Sequence, residues 1–126
     1  MGHKVVIVDD SGVTRKIIRK ALHMIGLDIE ALHECGNGEE ALELIRQEPL
    51  DLLITDLNMP QMTGVELLKE LHETRRAEGM KIIVITSDRN EERLEELQDL
   101  EVCAVLNKPF RPESLREAIV QKCHVE

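Results

Sequence analysis

Val5-Val6-Ile7-Val8-Asp9-Asp10 is the stretch on which the fold turns: four β-branched residues with no polar position among them, then two adjacent carboxylates. A strand with one wet face alternates apolar and polar residues, so an unbroken apolar run of this length reads as a strand covered on both faces. Directly after it the period changes. Val13, Ile17, Ala21, Leu22 and Ile25 fall on one helical face, and Gly26 stops the helix. This strand-then-helix unit recurs along the chain. Residues 29–35 read as a weaker strand, and Asn37 caps a helix carrying Ala41, Leu42, Leu44 and Ile45 that ends before Pro49. Residues 50–55 form a third strand. Thr63 and Glu66 make a capping box for a helix with Val65, Leu68 and Leu71 on its apolar face, fraying near Gly79. Ile82-Ile83-Val84-Ile85 is a fourth strand, and residues 90–100 a highly charged helix whose apolar positions are Leu94, Leu97 and Leu100. Residues 102–106 are a fifth strand. Pro112 suits the first position of a last helix, where its missing N–H costs nothing, and that helix runs to about Cys123. Five successive units predict a single-domain α/β fold, a (βα)5 doubly wound parallel five-stranded sheet with helices on both faces.

Composition agrees. A chain of 126 residues has the length of one domain, and 42% apolar with 33% charged residues is a globular composition rather than a disordered one. No apolar run approaches the ~18 residues of a membrane span. Asp9 and Asp10 interrupt the N-terminal apolar run too early for a signal peptide, so a cytoplasmic protein is expected. Sixteen basic against twenty-five acidic residues give a net charge of −9, which argues against direct nucleic-acid binding. Cys35, Cys103 and Cys123 are odd in number and widely spaced, as reduced and partly buried thiols would be, and not as a disulfide framework or zinc site. His3, His23, His33, His72 and His124 show no ligand spacing and read as surface or half-buried. Met59 and Met62 read as loop packing, and the stretch from Asn90 to Glu96 as a solvated helix face.

In a doubly wound sheet, ligands bind beyond the carboxyl ends of the strands. Strand 1 ends in Asp9-Asp10, strand 3 in Asp56, strand 4 in Thr86-Ser87, and strand 5 in Asn107-Lys108 followed by Pro109. Taken singly, each is an ordinary cap or turn residue. Together they bring three carboxylates, two hydroxyls and one ammonium to one edge. Carboxylates held close repel one another, and a hard divalent cation such as Mg²⁺ removes the conflict with oxygen ligands. A nucleophile, a metal and a cation are what phosphoryl transfer needs.

These residues resemble the receiver domain of bacterial two-component response regulators, in its single-domain CheY-like form. The resemblance spans residues 4–124. It rests on Val8-Asp9-Asp10-Ser11, Asp56-Leu57-Asn58-Met59-Pro60, Val84-Ile85-Thr86-Ser87 and Lys108-Pro109-Phe110, in that order on the strand ends. It implies the flavodoxin-type strand order 2-1-3-4-5. It makes Asp56 the phosphoacceptor, and Asp9 and Asp10 the acidic pair holding Mg²⁺ together with Asp56 and the backbone carbonyl of Asn58. It makes Thr86 the switch hydroxyl and Lys108 the partner of a phosphoryl oxygen, with a cis peptide to Pro109. Asn58 and Asp88 flank the path of the hydrolytic water, in a pattern that implies a short-lived phosphoryl group. Ser87 belongs to the switch loop. Val105 departs from the pattern, because the family commonly places Tyr or Phe there as a rotamer switch.

The implied function is a phosphorylation-activated switch that takes phosphate from a sensor histidine kinase or phosphotransfer domain. It would present a changed face, made by the last two helices and strand 5, to a protein target. Residues 1–126 are then one receiver domain with no output domain in this chain. It is a monomer or a weak, phosphorylation-dependent dimer, with no direct nucleic-acid or membrane contact. It is not an enzyme beyond self-phosphotransfer and autodephosphorylation. Two alternatives stand beside this: the receiver of a DNA-binding regulator whose output domain lies elsewhere, and an intermediate carrier in a phosphorelay. Less favoured are a scaffold without chemistry, a metal-dependent hydrolase and a flavin protein.

Overall fold

The run that ends at Asp9 is β1 (His3–Val8), and it lies inside the sheet. The computed structural model describes residues 2–76 and 78–124. β1 pairs with β2 (Ile29–Cys35) on one side and β3 (Leu52–Thr55) on the other, followed outward by β4 (Lys81–Thr86) and β5 (Ala104–Asn107). All four pairings are parallel and the order is 2-1-3-4-5, as the resemblance implies. The helices are α1 (Gly12–Met24), α2 (Gly38–Gln47), α3 (Gly64–Glu73), α4 (Glu91–Glu95) and α5 (Pro112–Glu117), the last continuing as a π-helical turn over Ala118–Lys122.

Successive strand side chains point to opposite faces, so each central strand feeds two cores. Val6, Val8, Leu53, Ile82 and Val84 pack with Ala41, Leu42, Leu67, Leu68 and Leu71 from α2 and α3. Val5, Ile7, Leu52, Ile54, Ile83 and Ile85 pack with Ile18 and Leu22 of α1 and Leu115 and Ile119 of the last helix. That division is why residues 5–8 have no polar position. β2 and β5 are the edges, and each buries a single residue, Cys35 and Ala104, which accounts for the weak strand pattern of residues 29–35. Met59 is buried and Met62 packs against the same core, as expected of loop packing residues. All three cysteines are free thiols, and burial pushes Cys35 up to about 11.

The helices start where cap chemistry puts them. Ser11, Asn37, Thr63 and Asn90 each accept a backbone N–H with the side-chain oxygen, and the Thr63–Glu66 capping box has both of its bonds. Two boundaries differ from the sequence reading. β3 starts at Leu52, although Asp51 already bonds to both neighbouring strands: its N–H donates to Lys4 O and its carbonyl accepts from Lys81 N. The helix read over residues 90–100 is regular only over Glu91–Glu95. Beyond it the bonds tighten to three-residue spacing, with Leu97 N–H on Leu94 O and Leu100 N–H on Leu97 O. The regular part of α4 buries no residue, whereas Leu97 and Leu100 do reach the core. Packing therefore anchors the turns after α4 most firmly, while α4 itself meets the core through the partly buried Leu94.

Candidate functional site

The carboxyl ends of β1 and β3 lie side by side, with Val8 opposite Thr55, so Asp9 and Asp56 leave the sheet as neighbours. Backbone bonds fix both residues: Asp9 N–H donates to Cys35 O, and Asp56 N–H to Val8 O. Each side chain then meets the N–H of the turn it opens. Asp9 Oδ1 accepts from Ser11 N at 2.9 Å and Asp56 Oδ1 from Leu57 N at 2.7 Å. Asp9 is 1% exposed and Asp56 8%, while Asp10 reaches solvent. Oxygens of Asp9, Asp10 and Asp56 lie within 4.8 Å of one another. Lys108, delivered by the loop after β5, places Nζ 2.8 Å from Asp9 Oδ2 and 3.0 Å from Asp56 Oδ2. Burial works against the Lys108 charge, but the bonds to Asp9 and Asp56 outweigh it and hold its pKa above the ordinary lysine value. The peptide from Lys108 to Pro109 is cis.

Three carboxylates against one ammonium leave two uncompensated negative charges on hard oxygen donors at the open end of the cluster. That donor set fits a divalent cation of the Mg²⁺ class. The chain holds the cluster from behind as well. A guanidinium N–H of Arg15 donates to the Asp9 carbonyl, and Arg15 is itself paired with Glu34 at 3.2 Å.

Thr86 ends β4 fully buried, and its hydroxyl accepts a bond from Asp88 N at 3.0 Å. Asn58 is exposed after Asp56, and its amide donates to Asp88 Oδ2 at 3.3 Å. The bond from the Asn90 backbone N–H holds the Asp88 carboxyl below its ordinary value, with Asn58 and Arg93 adding to the effect. Ser87 is exposed beside Thr86. Val105 is not part of this cluster. It is 37% exposed on the edge strand β5, paired with Val84.

Besides Arg15, two residues at the site escaped the sequence reading. A Cβ on Gly64 would stand 2.0 Å from the Asp56 carbonyl oxygen and 2.8 Å from Leu57 Cα, so α3 can start this close to Asp56 only with glycine. Arg93, within the stretch read as a solvated face, pairs with both Asn58 and Asp88. The Thr63-Gly64 sequence hinted at the first; nothing in local sequence marked the second.

The response regulator receiver domain family matches residues 5–120. The chain belongs to that family. This receiver is 36% identical over 119 residues to a chemotaxis protein CheY homolog of Campylobacter jejuni, across 92% of this chain and 88% of the relative. Among solved structures, it is similar to a CheY-like receiver domain protein of Methanospirillum hungatei, with TM-score 0.86, 27% identity, and 98% and 95% of the two chains covered. It is similar also to chemotaxis protein CheY4 of Vibrio cholerae, with TM-score 0.83, 29% identity, and 97% and 99% covered. The chain is thus the receiver domain of a CheY-like response regulator, and its role is phosphorylation-dependent signalling. No helix among the described residues is long and apolar enough to cross a membrane.

Proposed function

We propose that this receiver accepts a phosphoryl group on Asp56 from a histidine kinase or phosphotransfer domain and, while phosphorylated, presents a changed face to a protein target. The observation that carries the reading is Lys108 Nζ seated between Asp9 and Asp56, with Asp10 completing the carboxylate cluster. An Asp56 oxygen forms the new P–O bond as the donor's P–N bond breaks, and the electron pair leaves with the donor imidazole nitrogen. Leu57 N–H holds the other Asp56 oxygen and so orients the nucleophile. Lys108 already touches the carboxylate edge and is placed to pair with a phosphoryl oxygen as charge gathers there. Mg²⁺ held by Asp9, Asp10, Asp56 and the Asn58 carbonyl would offset the charge between the carboxylate and the incoming group. Hydrolysis reverses the modification: water attacks phosphorus and releases the Asp56 carboxylate and inorganic phosphate. Asn58 and Asp88 border its approach, and a short-lived phosphoryl group follows. The chain turns over no separate substrate in this account.

The donor has a place to dock. Thr14, Ile17, Lys108, Pro109 and Phe110 line an apolar cleft of about 430 Å³ beside the site, and Ile17 and neighbouring Val13 are exposed. The target face is assigned to α4, β5 with Val105, and α5, and the setting to the cytoplasm. Calorimetric titration with Mg²⁺ tests the metal part. Asp10→Asn and Asp9→Asn should each weaken binding at least tenfold, and equal binding by wild type and both variants would refute the ligand set.

A further inference from the structure

Arg93 stands on α4, outside the carboxylate cluster, and grips both loops that border it. Its Nε lies 3.3 Å from Asp88 Oδ2, and its Nη1 donates to Asn58 Oδ1. Asn58 Nδ2 closes the ring by donating to Asp88 Oδ2. The Asp88 side chain is 13% exposed but that of Arg93 is 42%, so the pair is open to solvent and its geometry, rather than burial, gives it weight. A planar guanidinium suits it, because one fork reaches a carboxylate and an amide oxygen together. Asp88 is also tied inward. Its N–H donates to the Thr86 hydroxyl at 3.0 Å, and its Oδ1 accepts from Asn90 N, the residue that caps α4.

We propose that Arg93 is a positioning residue: it clasps Asn58, on the loop after Asp56, to Asp88, on the loop after Thr86, and so holds the receiver in its unphosphorylated arrangement. This rests on the reading of Asp56 as phosphoacceptor. A phosphoryl group on Asp56 draws the Thr86 hydroxyl toward it, and the Asp88 N–H bonded to that hydroxyl is drawn along. The Asp88 carboxylate cannot follow while Arg93 and Asn58 hold it. Release of the clasp is therefore part of the switch, and contacts made in one state only oppose binding to the other.

The test is binding of beryllofluoride, with Mg²⁺, to wild type, Arg93→Ala and Arg93→Lys, followed by ¹⁹F NMR and calorimetry. Arg93→Ala should bind about fivefold more tightly than wild type, at the low end of couplings between sites. Its urea midpoint without beryllofluoride should fall, because the unligated form loses the clasp, and at saturating beryllofluoride it should match that of wild type. Arg93→Lys keeps the charge but not the fork, and should fall between. In wild type, the Arg93 Nε–H resonance should exchange slowly with water before beryllofluoride and faster after it. Binding by Arg93→Ala equal to or weaker than that of wild type, or an Nε–H unaffected by beryllofluoride, would overturn the clasp. A wild type that binds no beryllofluoride at all overturns the phosphoacceptor reading itself, and the clasp with it.

Discussion

Lys108 bridges two buried carboxylates with one flexible ammonium, and its loss has two separable consequences. In transfer, charge-assisted bonds of this kind are worth about 1.5–3 kcal/mol. Lys108→Met should therefore slow phosphorylation by acetyl phosphate roughly 10- to 150-fold, measured as the initial rate of adduct formation. In stability, the Lys108 pKa lies above its ordinary value of 10.5 in the folded protein. The stability it contributes is then fully present below the unfolded pKa and is lost as pH rises through the folded one. The urea midpoints of wild type and Lys108→Met should differ at neutral pH and converge as pH climbs beyond 10.5; a gap that stays constant would show that the ammonium charge is not what separates them. Gly64 makes a different residue-scale case. Adding a methyl where the Asp56 carbonyl stands 2.0 Å away forces the backbone apart, and Gly64→Ala should destabilise by about 1–3 kcal/mol or more in urea unfolding.

Among the elements, α4 is the weakly held one. Its regular part is five residues long and fully buries none of them, so beyond the partial packing of Leu94 its stability rests on the Asn90 cap and the Arg93 contacts. Amide exchange in α4 should be faster than in α1 or α3, both of which pack buried leucines. Asn90→Ala removes a cap worth about 0.5–2 kcal/mol, and should accelerate exchange in α4 while leaving the global melting midpoint nearly unmoved. A matching fall in the global midpoint would mean α4 unfolds with the core. β5 carries Val105 outward at 37% exposure, where a side chain can meet a partner without touching Lys108. Val105→Tyr should alter target binding more than it alters the rate of phosphorylation, and equal effects on both would contradict that separation.

Over the whole molecule, the sheet was legible because β1, β3 and β4 are buried on both faces and their sequences say so without interruption. The caps Asn37 and Thr63 were legible because they act within four residues. Strand order is carried by the resemblance and not by periodicity, and the end of α4 is hidden in the sequence because Leu97 and Leu100 keep helical spacing while packing through tighter turns. The strand-end residues Asp9, Asp10, Asp56 and Lys108 could be gathered from sequence, since a parallel sheet brings all its strand ends to one edge. Gly64 and Arg93 could not, since their importance lies in contacts with Asp56, Asn58 and Asp88 that only the folded chain creates. The central claim is that this edge is a working phosphoacceptor site. Intact-mass measurement after incubation with acetyl phosphate and Mg²⁺, beside Asp56→Ala and an EDTA control, tests it most directly. The account predicts one phosphoryl adduct on wild type and none on the variant or without metal. No adduct on wild type, with no response to beryllofluoride either, or an adduct that survives Asp56→Ala, would contradict it.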